Sequence, residues 1–168
     1  MNGQLHRVVV TGIGVVSPVG NTLEETWNNL VNGVCGIAPI TLFDTTDYKA
    51  KVAGEVKNFE PRDYMTKQEI LRSDRFTQLA VAAAAQAVEE SGVIGTVDPA
   101  RIGVYFGSGI GGINTMTKEH AKLLNKGPAR VSPYCVPMMI ANMAAGEIAI
   151  RYNCPVSYTH LTLPTNSL

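Results

Sequence analysis

In its last stretch, RYNCPVSYTHLTLPTNSL, the chain places a cysteine, Cys154, six residues before a histidine, His160. In contact, a thiol and an imidazole make a nucleophile and its base, because the ring takes the thiol proton and holds the resulting thiolate. Spacing alone does not bring the two together. A second candidate is GSGIGG, Gly107 to Gly112, which satisfies the G-x-G-x-x-G spelling of a dinucleotide-binding turn. That chemistry also needs a second parallel strand ending in an acid about 20 residues on, to hold a ribose hydroxyl. No acid lies between Glu119 and Glu147, and the intervening KGPARVSPYCVP is not a strand. The earlier VVVTGIGVVSPVG suggests a dehydrogenase turn, but Pro18 sits where that helix loop would start, and the chain has no Tyr-x-x-x-Lys pair. Both glycine stretches are therefore expected to let backbone pack on backbone.

The elements that must position these residues alternate between strand and helix. Val8 to Thr11 is β-branched and predicts a buried strand, broken by Gly12, Gly14, Pro18 and Gly20. Asn21 or Thr22 caps a helix with Glu24 and Glu25 in its first turn, Trp27, Leu30 and Val31 on its apolar face, and Gly33 at its end. A short strand is expected around Lys51 to Val56, and RDYMTKQEILRSDRF reads as a polar, basic surface segment. A long alanine-rich helix starts at Ser73 or Asp74 and closes at Gly92, with small residues on nearly every face, so it should lie deep against other backbone. A strand from Arg101 to Phe106 leads through glycines to a helix from about Asn114 to Asn125. After a proline-punctuated loop, MMIANMAAGEIAIRYN forms a second small-residue helix, too short for a membrane span and carrying Glu147. The pattern predicts an α/β layered fold with a mostly parallel or mixed buried sheet.

Composition narrows the function class. Charged residues are 17% of the 168, below the roughly 25% usual in soluble domains. Such a chain should bury much of its surface against a partner or further sequence. Fourteen basic and fourteen acidic side chains cancel, so neither nucleic acid nor a membrane is an expected partner. Three cysteines, Cys35, Cys135 and Cys154, show no CxxC spacing and fit a reducing, cytoplasmic setting. No metal-ligand pattern appears.

Taken in order, VVVTGIGVVSPVGN, SDRFTQLAVAAAAQA, RIGVYFGSGIGG and SPYCVPMMIANMAAGEIAI resemble the N-terminal part of the β-ketoacyl-acyl-carrier-protein synthases. The likeness is greatest to synthase II, the elongating enzyme of bacterial fatty acid synthesis. The resemblance implies a thiolase-like α-β-α-β-α fold working as a homodimer, of which this chain carries most of the N-terminal half. It also implies a reaction: an acyl chain passes from acyl carrier protein to a cysteine thiolate, malonyl carrier protein loses carbon dioxide, and the carbanion attacks the acyl carbonyl. Two histidines assist and no cofactor is used. By the same likeness, Ile110 lines the acyl channel and Cys135 stands where relatives place a large aromatic reaching the partner subunit's channel. Lys67 and Arg72 match a basic patch that docks the acidic carrier.

The resemblance covers about residues 6 to 154, which makes residues 1–154 a partial N-terminal domain, and fails after Cys154. PVSYTHLTLPTNSL offers no elbow cysteine and no glycine, and its prolines at 155 and 164 would interrupt a central strand. Cys154 lies at a helix exit, and His160 matches neither family histidine, so no catalytic residue is assigned; His6 and His120 read as surface residues. Residues 155–168 resemble translated sequencing-adapter DNA, a truncation artefact. The chain as written is expected to be an inactive fragment, unstable on its own. Alternatives are a non-catalytic chain-length-factor-like partner, a polyketide ketosynthase fragment and, more remotely, an NAD(P)-binding oxidoreductase.

Overall fold

The computed structural model describes residues 7–155. Its elements in chain order are α1 (Leu23–Val31), β1 (Ile37–Pro39), β2 (Val52–Gly54), α2 (Lys67–Leu71), α3 (Arg75–Ser91), α4 (Ile113–Lys126), α5 (Cys135–Met139) and α6 (Met143–Arg151), with short 3-10 turns at Pro61–Asp63, Pro99–Arg101 and Pro128–Arg130. Helix α3 packs against α6, and this contact is the centre of the core. Met65, Ala80, Val81, Ala144 and Ile148 are buried there, with Phe76, Val104, Phe106 and Tyr152 around them. Alanines on both helices let their axes approach closely, which is why the small-residue faces are the buried ones.

Glycine explains how the N-terminal segment meets this core. A Cβ on Gly14 would strike the carbonyl oxygen of Ala83, and one on Gly12 the carbonyl oxygen of Ala87, so the segment lies directly on the α3 backbone. Side chains of α3 then take up the segment's amides: Val15 donates to Gln86 at 3.2 Å and Ile13 to Glu90 at 2.5 Å. Close backbone packing, expected from the glycines, is what the structure has.

Several expectations need correction. Val8 to Thr11 forms no strand, and Val8 and Val10 are 93% and 80% exposed. No backbone hydrogen bond to a neighbouring strand holds it among the described residues, so β-branched composition alone has not made a strand. The expected strand from Arg101 to Phe106 is extended chain entered by a 3-10 turn, with Phe106 alone forming a β-bridge; Ile102, Val104 and Phe106 are half-buried while Gly103 and Tyr105 face outward. Instead of a mostly parallel or mixed buried sheet, the ladder among the described residues is antiparallel β1–β2, pairing Ile37 with Gly54 and Pro39 with Val52.

Helix α1 starts as expected, with Thr22 accepting from the Glu25 amide, but it turns its apolar stripe outward. Trp27, Leu30 and Val31 are more than half exposed. Its inner side is held by polar contacts instead: the Thr26 hydroxyl donates to the Gly20 carbonyl at 3.2 Å, and the Asn29 amide to the Val19 carbonyl at 2.5 Å. The single helix expected after the proline loop is two, α5 and α6. Ile140 is extended between them (φ −68°, ψ 135°), and the Met139 carbonyl accepts from the Gly112 amide at 2.8 Å.

Candidate functional site

Ile110 sits in the turn that carries GSGIGG into α4, and this turn is fixed from two sides. Gly111 adopts φ +80°, a left-handed conformation that side-chain-bearing residues rarely take. At Gly112 a Cβ would meet the Met138 carbonyl oxygen and lie 2.9 Å from the Met139 Cα. These glycines are thus filled by the α5–α6 connection, and no phosphate-sized cradle is left at them. The first turn of α4 is occupied too. Asp74, only 4% exposed, accepts from the Thr115 amide at 2.7 Å and the Thr115 hydroxyl at 2.6 Å. Its carboxylate satisfies an otherwise orphaned N–H and complements the positive end of the helix. Asp74 is also the N-cap residue of α3, but its side chain makes no cap bond there because it is spent on α4.

With the turn fixed, Ile110 lines an open cavity of about 550 Å³ together with Met116, Met139, Ile140, Ala141 and Asn142. Its side chain is 71% exposed, so it is not an ordinary core isoleucine. The lining is largely aliphatic and thioether, a surface suited to a hydrocarbon chain. Cys135 opens α5, half-buried, and is not among that lining. The loop before it is tied down by Glu119, which accepts from the Ser132 amide at 2.7 Å and pairs with Lys122 at 2.5 Å. The Lys122 hydrogen bond first, then the Ser132 amide, holds the Glu119 carboxyl below the usual carboxylate range.

Lys67 and Arg72 are both exposed, at the first residue and the C-cap of α2. Five residues apart, they project about 140° from one another around the helix axis. Arg72 places its guanidinium 4.9 Å above the Tyr134 ring, next to Cys135. The structure therefore joins Arg72 to the Cys135 loop and leaves Lys67 separate, with the exposed Leu71 one helical turn beyond it. Three residues not foreseen hold this helix. Thr66 and Glu69 form a reciprocal capping box. Arg151 donates to Glu69 and to the Tyr64 carbonyl, each at 2.8 Å. The Thr-x-x-Glu spacing is a readable signal for the box. Nothing local points from residue 151 to residue 69.

Cys154 is buried, and its thiol hydrogen-bonds the Tyr152 carbonyl at 3.6 Å. His120, the one histidine among the described residues, is exposed on α4. His6, His160 and the tail from residue 156 lie outside the described residues. Among the described residues, no group of three or more His, Cys, Asp or Glu could hold a metal ion, and no helix is long and apolar enough to cross a membrane.

The chain is 49% identical over 148 residues to the 3-oxoacyl-[acyl-carrier-protein] synthase 2 of Staphylococcus aureus strain COL, covering 88% of this chain and 36% of that protein. It is 44% identical over 163 residues to the enzyme of the same name from Synechocystis sp., covering 93% and 39%. It therefore spans about two fifths of the length of these relatives. Among solved structures, the ishigamide ketosynthase/chain length factor superposes with a TM-score of 0.78 at 30% identity, over 92% of this chain and 39% of that one. A ketosynthase in complex with a type II polyketide acyl-carrier protein gives a TM-score of 0.74 at 20% identity, over 90% and 40%, which speaks for the fold alone. The model of the beta-ketoacyl synthase N-terminal domain matches residues 5–156. With the glycine turns packed on helix backbone and the thiolase-like ketosynthase fold shared by its neighbours, the chain belongs to the beta-ketoacyl synthase family, matching its N-terminal domain over residues 5–156.

Proposed function

We propose that this chain is the N-terminal segment of a 3-oxoacyl-[acyl-carrier-protein] synthase of the synthase 2 type. In such an enzyme an acyl group moves from its carrier thioester to a cysteine, releasing the carrier thiol. Malonyl carrier then loses carbon dioxide, and the carbanion attacks the acyl carbonyl, forming the new carbon–carbon bond and expelling the cysteine thiolate. The observation that carries the reading is the 49% identity, over 88% of this chain, to a protein of that name.

Within this reaction the segment supplies binding surfaces. The Ile110 cavity takes part of the acyl chain, and Cys135 stands where relatives place an aromatic reaching the partner subunit's channel in a cytoplasmic homodimer. Lys67 and Arg72 attract the acidic carrier, and the reaction needs no cofactor. The nucleophile and the two histidines belong to sequence beyond this segment, so the chain alone does not condense. Cys154 supports this, because a buried thiol hydrogen-bonded to its own helix end is poorly placed to meet a substrate. A domain boundary at residue 154, with a non-family tail over 155–168, is supported by the end of the family match at residue 156. Resequencing the locus tests it: a stop codon after the same tail in genomic DNA counts against the boundary.

Binding of octanoyl-acyl carrier protein to the tethered chain tests the docking role. Salt-sensitive binding that Lys67→Ala with Arg72→Ala weakens supports it, and binding indifferent to both changes contradicts it. The neighbour that names a chain length factor favours a second reading, a non-catalytic partner of an active synthase. A residue other than cysteine at the nucleophile position of the full-length gene product decides for that second reading.

A further inference from the structure

Helix α2 has five residues, too few to persist alone, yet it carries both cations assigned to docking. Three devices hold it. The capping box closes its start, where Glu69 accepts from the Thr66 amide at 2.6 Å. The Ser73 hydroxyl donates to the Glu69 carbonyl at 2.8 Å and closes its end. Neither fixes the direction in which the helix points from the body of the protein. That is done by Arg151, whose two terminal nitrogens reach the Tyr64 carbonyl just before α2 and the Glu69 carboxylate within it.

A guanidinium is a flat fork, so two acceptors on its separate nitrogens fix an orientation that a single ammonium would not. The clamp has a firm base. Arg151 ends α6, whose Ala144, Ala145, Gly146 and Ile148 are buried against the core. One carboxylate, Glu69, serves both the cap and the clamp, and so couples the start of α2 to the end of α6. At the far end, Arg72 rests on the Tyr134 ring. Lys67 and Arg72 are thereby set in a fixed relation to α6 and to the Cys135 loop.

We propose that Arg151 is a positioning residue for carrier docking: through Glu69 and the Tyr64 carbonyl it orients α2, so that Lys67 and Arg72 meet an acidic carrier protein in one arrangement. This rests on the docking role proposed above. Arg151 itself need not touch the partner. An acidic surface docking on α2 would be reported to α6, the helix that leads to Cys154 and onward.

The test uses the 168-residue chain tethered sparsely to a sensor surface, with octanoyl-acyl carrier protein as the probe, alongside amide hydrogen exchange at residues 66–72 and 80–86. Arg151→Gln and Glu69→Gln should each weaken binding about threefold to fivefold and speed exchange over residues 66–72, leaving residues 80–86 protected. Lys67→Ala with Arg72→Ala should weaken binding without changing exchange. If that pair weakens binding while Arg151→Gln leaves it unchanged, the positioning role is overturned and docking survives. If the pair has no effect, docking fails, and this inference with it. Should Arg151→Gln also lose protection at residues 80–86, Glu69→Gln, at a more exposed site, decides by the same two readings.

Discussion

Helix α3 and the segment from Val8 to Ile13 meet at Gly12, and both are apolar, yet they end in opposite surroundings. Ala80, Val81 and Ala82 are at most 3% exposed, whereas Val8, Val9 and Val10 are at least 65% exposed. The difference lies in what each side chain can reach. Alanines and glycines bring α3 against α6 and the Gly12–Gly14 backbone, while Val8 to Val10 lie ahead of that contact along the chain. Burial of α3 follows from its small-residue contacts, and the valines have no such neighbour within a segment that spans about two fifths of its relatives' length. Helix α1 repeats the point, with Thr26 buried and Trp27 65% exposed.

The comparison breaks first if the packed side proves tolerant. Ala144 is fully buried, so Ala144→Leu should destabilise by about 3 kcal/mol, read as a lowered urea midpoint of the full-length gene product. Asp74→Ala removes the acceptor for both Thr115 donors and should cost about 2 kcal/mol by the same measurement. A smaller, pH-dependent effect belongs to Glu69. The Thr66 amide first, then the Thr66 hydroxyl and Arg151, hold its carboxyl below the usual range against the cost of burial. A lowered folded-state pKa means stability that is present above the unfolded carboxylate value and lost as pH falls through the folded one. The stability gap between the native chain and Glu69→Gln should therefore be full at neutral pH and vanish in acid. On the outward side, Trp27→Gln with Leu30→Gln should alter stability by no more than about 0.5 kcal/mol. The same pair should reduce self-association in sedimentation velocity, because it removes exposed apolar area.

Much of this was legible in residue order. The caps at Thr22 and Gly92 and the extent of α3 and α4 follow from local rules, because each is decided by neighbours within a turn or two; the glycines signalled close packing without naming Ala83 or Ala87 as the partner. Of the strands, the short one expected around Lys51 to Val56 was legible, as β2 at Val52–Gly54, and those at Val8 to Thr11 and Arg101 to Phe106 were not. Val8 to Thr11 has strand composition, but a ladder needs a partner that no local pattern supplies. The break at Ile140 was hidden for a related reason: it is stabilised by Gly112, far away in sequence, drawing on the Met139 carbonyl. The site divides the same way. Lys67, Arg72 and Ile110 were expected through family resemblance, while Arg151 and Asp74 act across folded distances of 82 and 41 residues.

The central proposal is that this segment carries docking and channel surfaces of a condensing enzyme without its nucleophile. Intact-protein mass spectrometry after incubation with octanoyl-acyl carrier protein tests it most directly. The account predicts no covalent octanoyl adduct on Cys35, Cys135 or Cys154. A hydroxylamine-labile octanoyl group on Cys154 would contradict it, and would make the buried thiol at the end of α6 a working nucleophile.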